Sequence, residues 1–183
     1  MKIKLFPLCF FLVGMLFSCV NDENEVKRIT DFEDAPDEQS QNLKMVYSDS
    51  GLTKFHLYAK ISETYTQPNH ITIFRNYIKV DFFNPDGVKV STLTAQRGVY
   101  DHTEEVVVVR DSVRLYNYKK DQTLETEELT WNKMDSTIRT EKQVLVTSPK
   151  ELLTGKGLIT KQDFSYFEIL NPTGRINLKK EQE

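Results

Sequence analysis

The sequence predicts an all-β fold, and three observations carry that prediction. Apolar and polar residues alternate at a period of two from Leu43 onward, turn-forming residues punctuate the alternation, and one block of the pattern recurs after 31 residues. In Phe55-His56-Leu57-Tyr58-Ala59-Lys60-Ile61, the residues Phe55, Leu57, Ala59 and Ile61 share one face, which marks a half-buried strand.

Further strand candidates are Ile71 to Phe74, Tyr77 to Phe83, Lys89 to Ala95, Gly98 to Asp101, Val106 to Val109 and Ser112 to Asn117. They continue with Leu124 to Trp131, Thr137 to Thr140, Gln143 to Thr147, Gly157 to Thr160 and Phe164 to Leu170, and no stretch of this region prefers a helix. Asp49-Ser50-Gly51, Asn84-Pro85-Asp86-Gly87, Asn132-Lys133-Met134-Asp135 and Asn171-Pro172-Thr173-Gly174 supply residues that preset or tolerate turn dihedrals. Many short strands at this spacing predict a sandwich, roll or barrel.

The repeat sharpens the prediction. Leu93-Thr94-Ala95-Gln96-Arg97-Gly98-Val99-Tyr100-Asp101 lines up with Leu124-Glu125-Thr126-Glu127-Glu128-Leu129-Thr130-Trp131-Asn132. Without a gap, Val107 then falls on Ile138, Val113 on Val144 and Leu115 on Val146. A weaker third copy begins at Leu153-Thr154-Gly155-Lys156-Gly157-Leu158, and a degenerate one precedes at Leu57-Tyr58-Ala59. Each unit holds about three short strands, cannot bury its apolar face alone, and must stack on its neighbour edge to edge.

A chain of 183 residues with 39% hydrophobic and 28% charged residues suits one globular domain. A net charge of −3 supplies no broad basic field, which argues against a nucleic-acid binder. The N-terminus reads as an export signal, with the basic start Met1-Lys2-Ile3-Lys4 and then the apolar run Leu5 to Phe17. That run is shorter than the roughly 20 residues of a membrane-spanning helix. It ends in Leu16-Phe17-Ser18-Cys19, which resembles the bacterial lipoprotein box, where the cysteine is acylated and becomes the first residue. Residues 1–18 are therefore read as a lipoprotein signal peptide, with an ordinary signal or a retained helix as the alternative.

Its removal takes away Lys2 and Lys4, shifting the charge from −3 to −5, and also Cys9, leaving Cys19 as the only thiol. No internal disulfide can then form, so the core must hold the fold. Residues 19–42 read as an acidic tether: eight acids from Asp22 to Glu38 stand against Lys27 and Arg28. Those acids either keep the chain extended from an anionic membrane surface or, through Asp22, Glu23 and Glu25, form a sorting signal. Residues 43–171 form the β domain, and 172–183 a polar C-terminal tail.

Catalytic chemistry is nearly absent from the pattern. His56, His70 and His102 show no HExxH and no paired spacing that would place two on a metal, and read as surface or turn residues. Gly155-Lys156-Gly157 lacks the spacing of a phosphate loop and reads as a bend between strands. No Gly-x-Ser-x-Gly is present, and nothing converges two acids on one site. No enzyme, metal or cofactor is expected.

The order of features along the chain resembles the LptC family, the periplasmic components of the lipopolysaccharide export ABC transporter. It is carried by the membrane-attaching N-terminus and by Met45-Val46-Tyr47-Ser48-Asp49-Ser50-Gly51-Leu52 leading into Phe55 to Lys60. The repeated Leu-x-Ala-x-x-Gly-x-Tyr and Leu-x-Thr-x-x-Leu-x-Trp units follow, then Leu153 to Leu158 running to Phe164-x-x-Phe167-Glu168-Ile169. The resemblance covers about residues 43–170 and rests on several loose motifs. Many members keep a transmembrane helix where this chain has Ser18-Cys19.

The resemblance implies a twisted open β-jellyroll, built from short antiparallel strands in repeated units, whose interior receives the acyl chains of lipopolysaccharide and passes them on. Phe55, Leu57, Ala59, Val80, Phe82, Val107, Val109, Val113, Leu115, Ile138, Val144 and Val146 supply the inward apolar residues such an interior needs. The same residues would equally fill a dry core, and alternation does not separate the two. The resemblance further implies assembly by β-augmentation: an N-terminal edge joins inner-membrane ABC transporter subunits and a C-terminal edge joins a periplasmic β-jellyroll bridge protein. Leu43, Val46 and Tyr47 fall near the first edge by alignment, and Phe164, Phe167 and Ile169 near the last. Gly51, Gly155 and Gly157 match glycines of the family pattern and are expected to be structural.

The expected protein is thus periplasmic, anchored through Cys19, with the family role favouring the inner membrane, and transfers lipid non-covalently with energy from an ATPase elsewhere. Lys79, Lys89, Arg97, Arg110 and Arg114 are the basic residues from which contacts to lipid phosphates would come. The alternative is a structural or surface-exposed lipoprotein whose β-roll serves only as a protein-interaction module.

Overall fold

The computed structural model describes residues 35–177, so the signal segment, Cys19 and the tether up to residue 34 lie outside the described residues. Ten antiparallel strands form a single sheet, and there is no helix among the described residues. They are β1 (Glu38–Asp49), β2 (Leu52–Tyr65), β3 (Ile71–Phe83), β4 (Lys89–Ala95), β5 (Arg97–Asp101), β6 (Val106–Asn117), β7 (Gln122–Asn132), β8 (Thr137–Thr147), β9 (Glu151–Lys161) and β10 (Phe167–Asn177). The sheet runs β1-β2-β3-β4-β6-β7-β8-β9-β10, with β5 continuing the line of β4 between β3 and β6. The predicted all-β class holds, and the architecture is that of a β-jellyroll.

Several separate strand candidates are halves of one long strand broken by a bulge. In β3, Ala59 pairs Ile78 and Ile61 pairs Arg75, so Asn76 and Tyr77 stand opposite Lys60 alone. In β6, Asp111 and Ser112 stand opposite Glu127, and in β8, Glu141 and Lys142 stand opposite Gly157. Asn76, Tyr77, Asp111 and Ser112 all take positive φ, between 52° and 108°. Asn, Asp and Ser carry most of these positions because short polar side chains tolerate that region best. The bulges align across the sheet: Tyr77 N donates to Gln96 O and Gln96 N to Asp111 O, each at 3.1 Å. This line is a crease, over which one sheet folds into two facing layers.

Edge-to-face contacts prove the layers meet. Trp131, on β7, lies 5.3 Å from both Phe55 and Phe82, which are paired with each other on β2 and β3 and are not hydrogen-bonded neighbours of β7. Between the layers sits one continuous core, in which Ala59, Leu115, Leu124, Ile138, Leu158 and Phe164 are fully buried.

The 31-residue repeat is structural. Tyr100 pairs Val107 as Trp131 pairs Ile138, and Leu93 pairs Leu115 as Leu124 pairs Val146. The turns repeat too: Thr103 N donates to Asp101, Met134 N to Asn132 and Ser165 N to Asp163, three side-chain caps spaced by 31 residues. Each unit holds two long strands interrupted by the crease, where three short ones were expected.

Other boundaries differ from the sequence reading. β1 begins at Glu38, inside the expected tether, and β10 continues to Asn177, inside the expected tail. Both are edge strands paired on one side, and most of their residues are exposed, so they carry little of the alternation that marks a half-buried strand. Asn171-Pro172-Thr173-Gly174 is a register shift within β10 and not a turn; an edge strand tolerates the missing proline N–H. Gly155-Lys156-Gly157 lies inside β9 and not between strands: Gly157, with φ of 78°, faces the β8 bulge.

Candidate functional site

A cavity of about 250 Å³ opens between the two layers beside β1. One wall comes from the first strands: Phe55 and Leu57 of β2, Ile78, Val80 and Phe82 of β3, and Leu93 of β4. The facing wall is Phe74 with Val107 and Val109 of β6 and Leu129 and Trp131 of β7. Alternation aims these residues inward on both layers, and the crease brings the layers opposite each other. The rim is Met45 and Tyr47 of β1, Tyr100 of β5 and Lys133 of the β7–β8 turn. Met45 and Tyr47 are each 40% exposed although they line the cavity. Tyr47 stacks on Phe55 at 4.9 Å.

Of the expected interior residues, Phe55, Leu57, Val80, Phe82, Val107 and Val109 line this cavity. Ala59, Val113, Leu115, Ile138, Val144 and Val146 are buried in packed core and do not line it. Sequence reasoning did not place Phe74, Ile78, Leu93, Leu129, Trp131 or the rim residues Met45, Tyr100 and Lys133 at the interior, and it assigned the rim residue Tyr47 to the partner-binding edge. Phe74, Ile78, Leu129 and Trp131 belong to strand candidates and carried the same alternation signal as the residues chosen.

The edge expectations divide. β1 and β10 are the two ends of the sheet. Val46 is 61% exposed on β1, whereas Leu43 packs partly against the core. Phe167 and Ile169 sit on β10 with partial burial against the core. Phe164 is not an edge residue: it precedes β10, takes φ of 52° and is fully buried. The connection that carries it is tied down by buried polar side chains. Ser91 Oγ donates to Gln162 O at 2.9 Å, Asn117 Nδ2 to Asp163 O at 2.7 Å and Thr160 Oγ1 to Tyr166 O at 2.6 Å. Phe164 is thereby held as a plug, which an alternation running through a polar loop disguised as the start of a strand. Gly51 ends the β1–β2 turn with Ser50, both at positive φ.

The basic residues considered for phosphates lie in ion pairs. Lys79 and Lys89 approach Asp81 at 3.0 and 3.8 Å, Arg110 meets Glu128, Arg114 meets Glu125 at 2.7 Å, and Arg97 meets Asp111. Burial alone would raise the Asp81 carboxyl, but the Thr92 hydroxyl and the two lysines hold it below the ordinary carboxylate value.

Pairing of Ile71 with Asp101 brings His70 and His102 together, their rings stacked 3.9 Å apart. The sequence spacing had suggested no such pair. Burial, then His70 and Lys133, push the His102 imidazole below its ordinary value, and its Nε2 is hydrogen-bonded to Thr72 Oγ1 at 2.8 Å. Among the described residues no three metal-ligating side chains cluster.

A two-layered jellyroll enclosing an apolar cavity, bordered on one side by the free edge β1, is a fold suited to holding an apolar ligand without reacting with it. The chain belongs to the LptC family: the family model described as lipopolysaccharide-assembly, LptC-related, matches residues 7–175. No curated protein matches the chain. It is a non-enzymatic, periplasmic envelope protein of lipopolysaccharide transport, a role that implies lipopolysaccharide binding and association with the transport machinery.

Proposed function

We propose that this protein is a lipoprotein, held through Cys19 at the inner membrane, that takes acyl chains of lipopolysaccharide into the cavity between its layers and passes them on. Edge β1 receives the lipid from the inner-membrane ABC transporter, and edge β10 hands it to a periplasmic bridge protein. The observation that carries the reading is an apolar cavity whose rim includes an edge strand with one side unpaired. A free edge offers backbone donors and acceptors to a partner strand, so a partner jellyroll added there would extend the cavity wall across the junction. Transfer needs no chemistry here; burial of each methylene contributes about 0.8 kcal/mol, and the energy of extraction comes from the transporter's ATPase.

The test is site-specific photo-crosslinking in cells, with adducts probed by an antibody to lipopolysaccharide. Leu57 and Val107 line the cavity, Val113 and Val144 do not, and His56 points away from Leu57 on the same strand. Lipid adducts at Leu57 and Val107 and not at the other three are expected. Adducts only to protein would support the interaction-module reading instead.

A further inference from the structure

Among the described residues Lys133 is the single charged one lining the cavity, and it stands at the rim. Its Nζ donates to Tyr100 Oη at 2.9 Å and lies 4.8 Å from the centre of that ring and 5.3 Å from the Tyr47 ring. Among the described residues no carboxylate lies within ion-pair distance of it, in contrast to the outer-face cations Lys79, Lys89, Arg97, Arg110 and Arg114. An ammonium has three donors, and Tyr100 uses one. Two aromatic faces hold the charge at the mouth without neutralising it.

The rim of an otherwise apolar cavity therefore holds a cation with unused donors, a pattern that matches a ligand with an acyl chain and an anionic, oxygen-bearing head.

We propose that Lys133 is the headgroup contact of this cavity, binding the phosphate of an amphiphile whose chain lies between the two layers. The inference rests on the acyl-chain reading above and adds to it the polar end of the ligand. The shared chemistry is phosphate, from a lipid head or free in solution, and the experiment separates the sources.

Trp131 is the only tryptophan of the chain, so its fluorescence reports the cavity directly. The full chain is titrated below the micelle concentration with dodecyl phosphate, with uncharged dodecyl maltoside and with inorganic phosphate, in wild type, Lys133→Gln and Lys133→Arg. Wild type is expected to prefer dodecyl phosphate; Lys133→Gln loses about tenfold in affinity for it, the scale of one charge-assisted contact at a partly exposed site. Affinity for dodecyl maltoside stays unchanged, Lys133→Arg retains the preference, and added salt weakens it. Equal loss for both amphiphiles, or none, would overturn the assignment and leave Lys133 as a strap between Tyr47 and Tyr100. Inorganic phosphate binding as tightly as dodecyl phosphate would overturn the headgroup source. Should neither amphiphile perturb Trp131 in wild type, the acyl-chain reading itself fails, and this proposal with it.

Discussion

Gly155 tests whether edge β10 is held by close approach of two backbones. It lies in β9 opposite Pro172 of β10 and Val144 of β8. A Cβ at this position would stand 2.3 Å from Ile169 Cγ2, 2.7 Å from the Asn171 carbonyl oxygen and 3.1 Å from Pro172 Cα. The Ile169 methyl can rotate away, but the Asn171 oxygen is backbone, and reaching an ordinary 3.4 Å contact requires β10 to move by roughly 0.7 Å. Overpacking of this kind costs about 1–3 kcal/mol, while replacing glycine recovers about 0.4–1 kcal/mol from the unfolded chain. Gly155→Ala is therefore expected to destabilise by about 1–2 kcal/mol, and to do so locally. The assay is urea unfolding combined with hydrogen exchange of the Phe167–Asn177 amides. Gly51→Ala is the control: its added Cβ meets nothing within 4 Å, and only its φ of 77° is strained, so stability falls while β10 exchange is untouched. An unchanged urea midpoint with undisturbed β10 exchange in Gly155→Ala would refute the reasoning.

Three further outcomes are expected. Leu115→Ala, at a fully buried position away from the cavity, should cost about 2–5 kcal/mol by urea unfolding, against a much smaller loss for the half-buried cavity residue Val107→Ala. The lowered pKa of His102 means that the folded state resists its protonation; stability is full above the unfolded value of about 6.5 and falls as the pH drops below it. Melting temperatures between pH 7.5 and 5 should therefore decline less steeply in His102→Gln, while the lowered carboxyls Asp81, Asp111 and Asp135 lose their contribution only below about pH 4. Finally, single proline substitutions from Lys44 to Tyr47 should abolish co-purification with an ABC transporter at the positions whose N–H faces outward; intact association across the whole set would count against β1 as the transporter edge.

The strands and the repeat were legible because alternation and turn residues are local properties. The 31-residue offset carried further than strand spacing, since Asp101, Asn132 and Asp163 cap equivalent turns. The crease was not legible as a crease: Arg75-Asn76 and Arg110-Asp111-Ser112 simply interrupt the alternation, and an interruption reads as a strand end. Nor could core be told from cavity. Val107 and Val113 have the same pattern, and which of them meets empty space is decided by the facing layer. The His70–His102 stack and the contact of Lys133 with Tyr100 at the rim join residues about thirty apart, for which a single sequence offers no signal.

The cavity's size and its rim bear on one another. At about 250 Å³ it lies below the range of roughly 300–1,000 Å³ typical of small-molecule sites, so as it stands it holds part of one acyl chain. A lipid with several chains needs a wider space, and the wall that can yield most cheaply is the one with fewest partners. That wall is β1, whose Met45 and Tyr47 close the rim while the strand is hydrogen-bonded only to β2. The opposite side is fixed by Trp131 wedged between Phe55 and Phe82, and the β9–β10 connection by Phe164 and its buried hydrogen bonds. Adding a partner strand to β1 would place the partner's own wall next to the yielding side, so docking at that edge and widening of the cavity would be the same event. The free edge and the small cavity are then two aspects of one arrangement: the jellyroll alone has room for part of one chain, and a strand added at β1 would let the cavity widen for more.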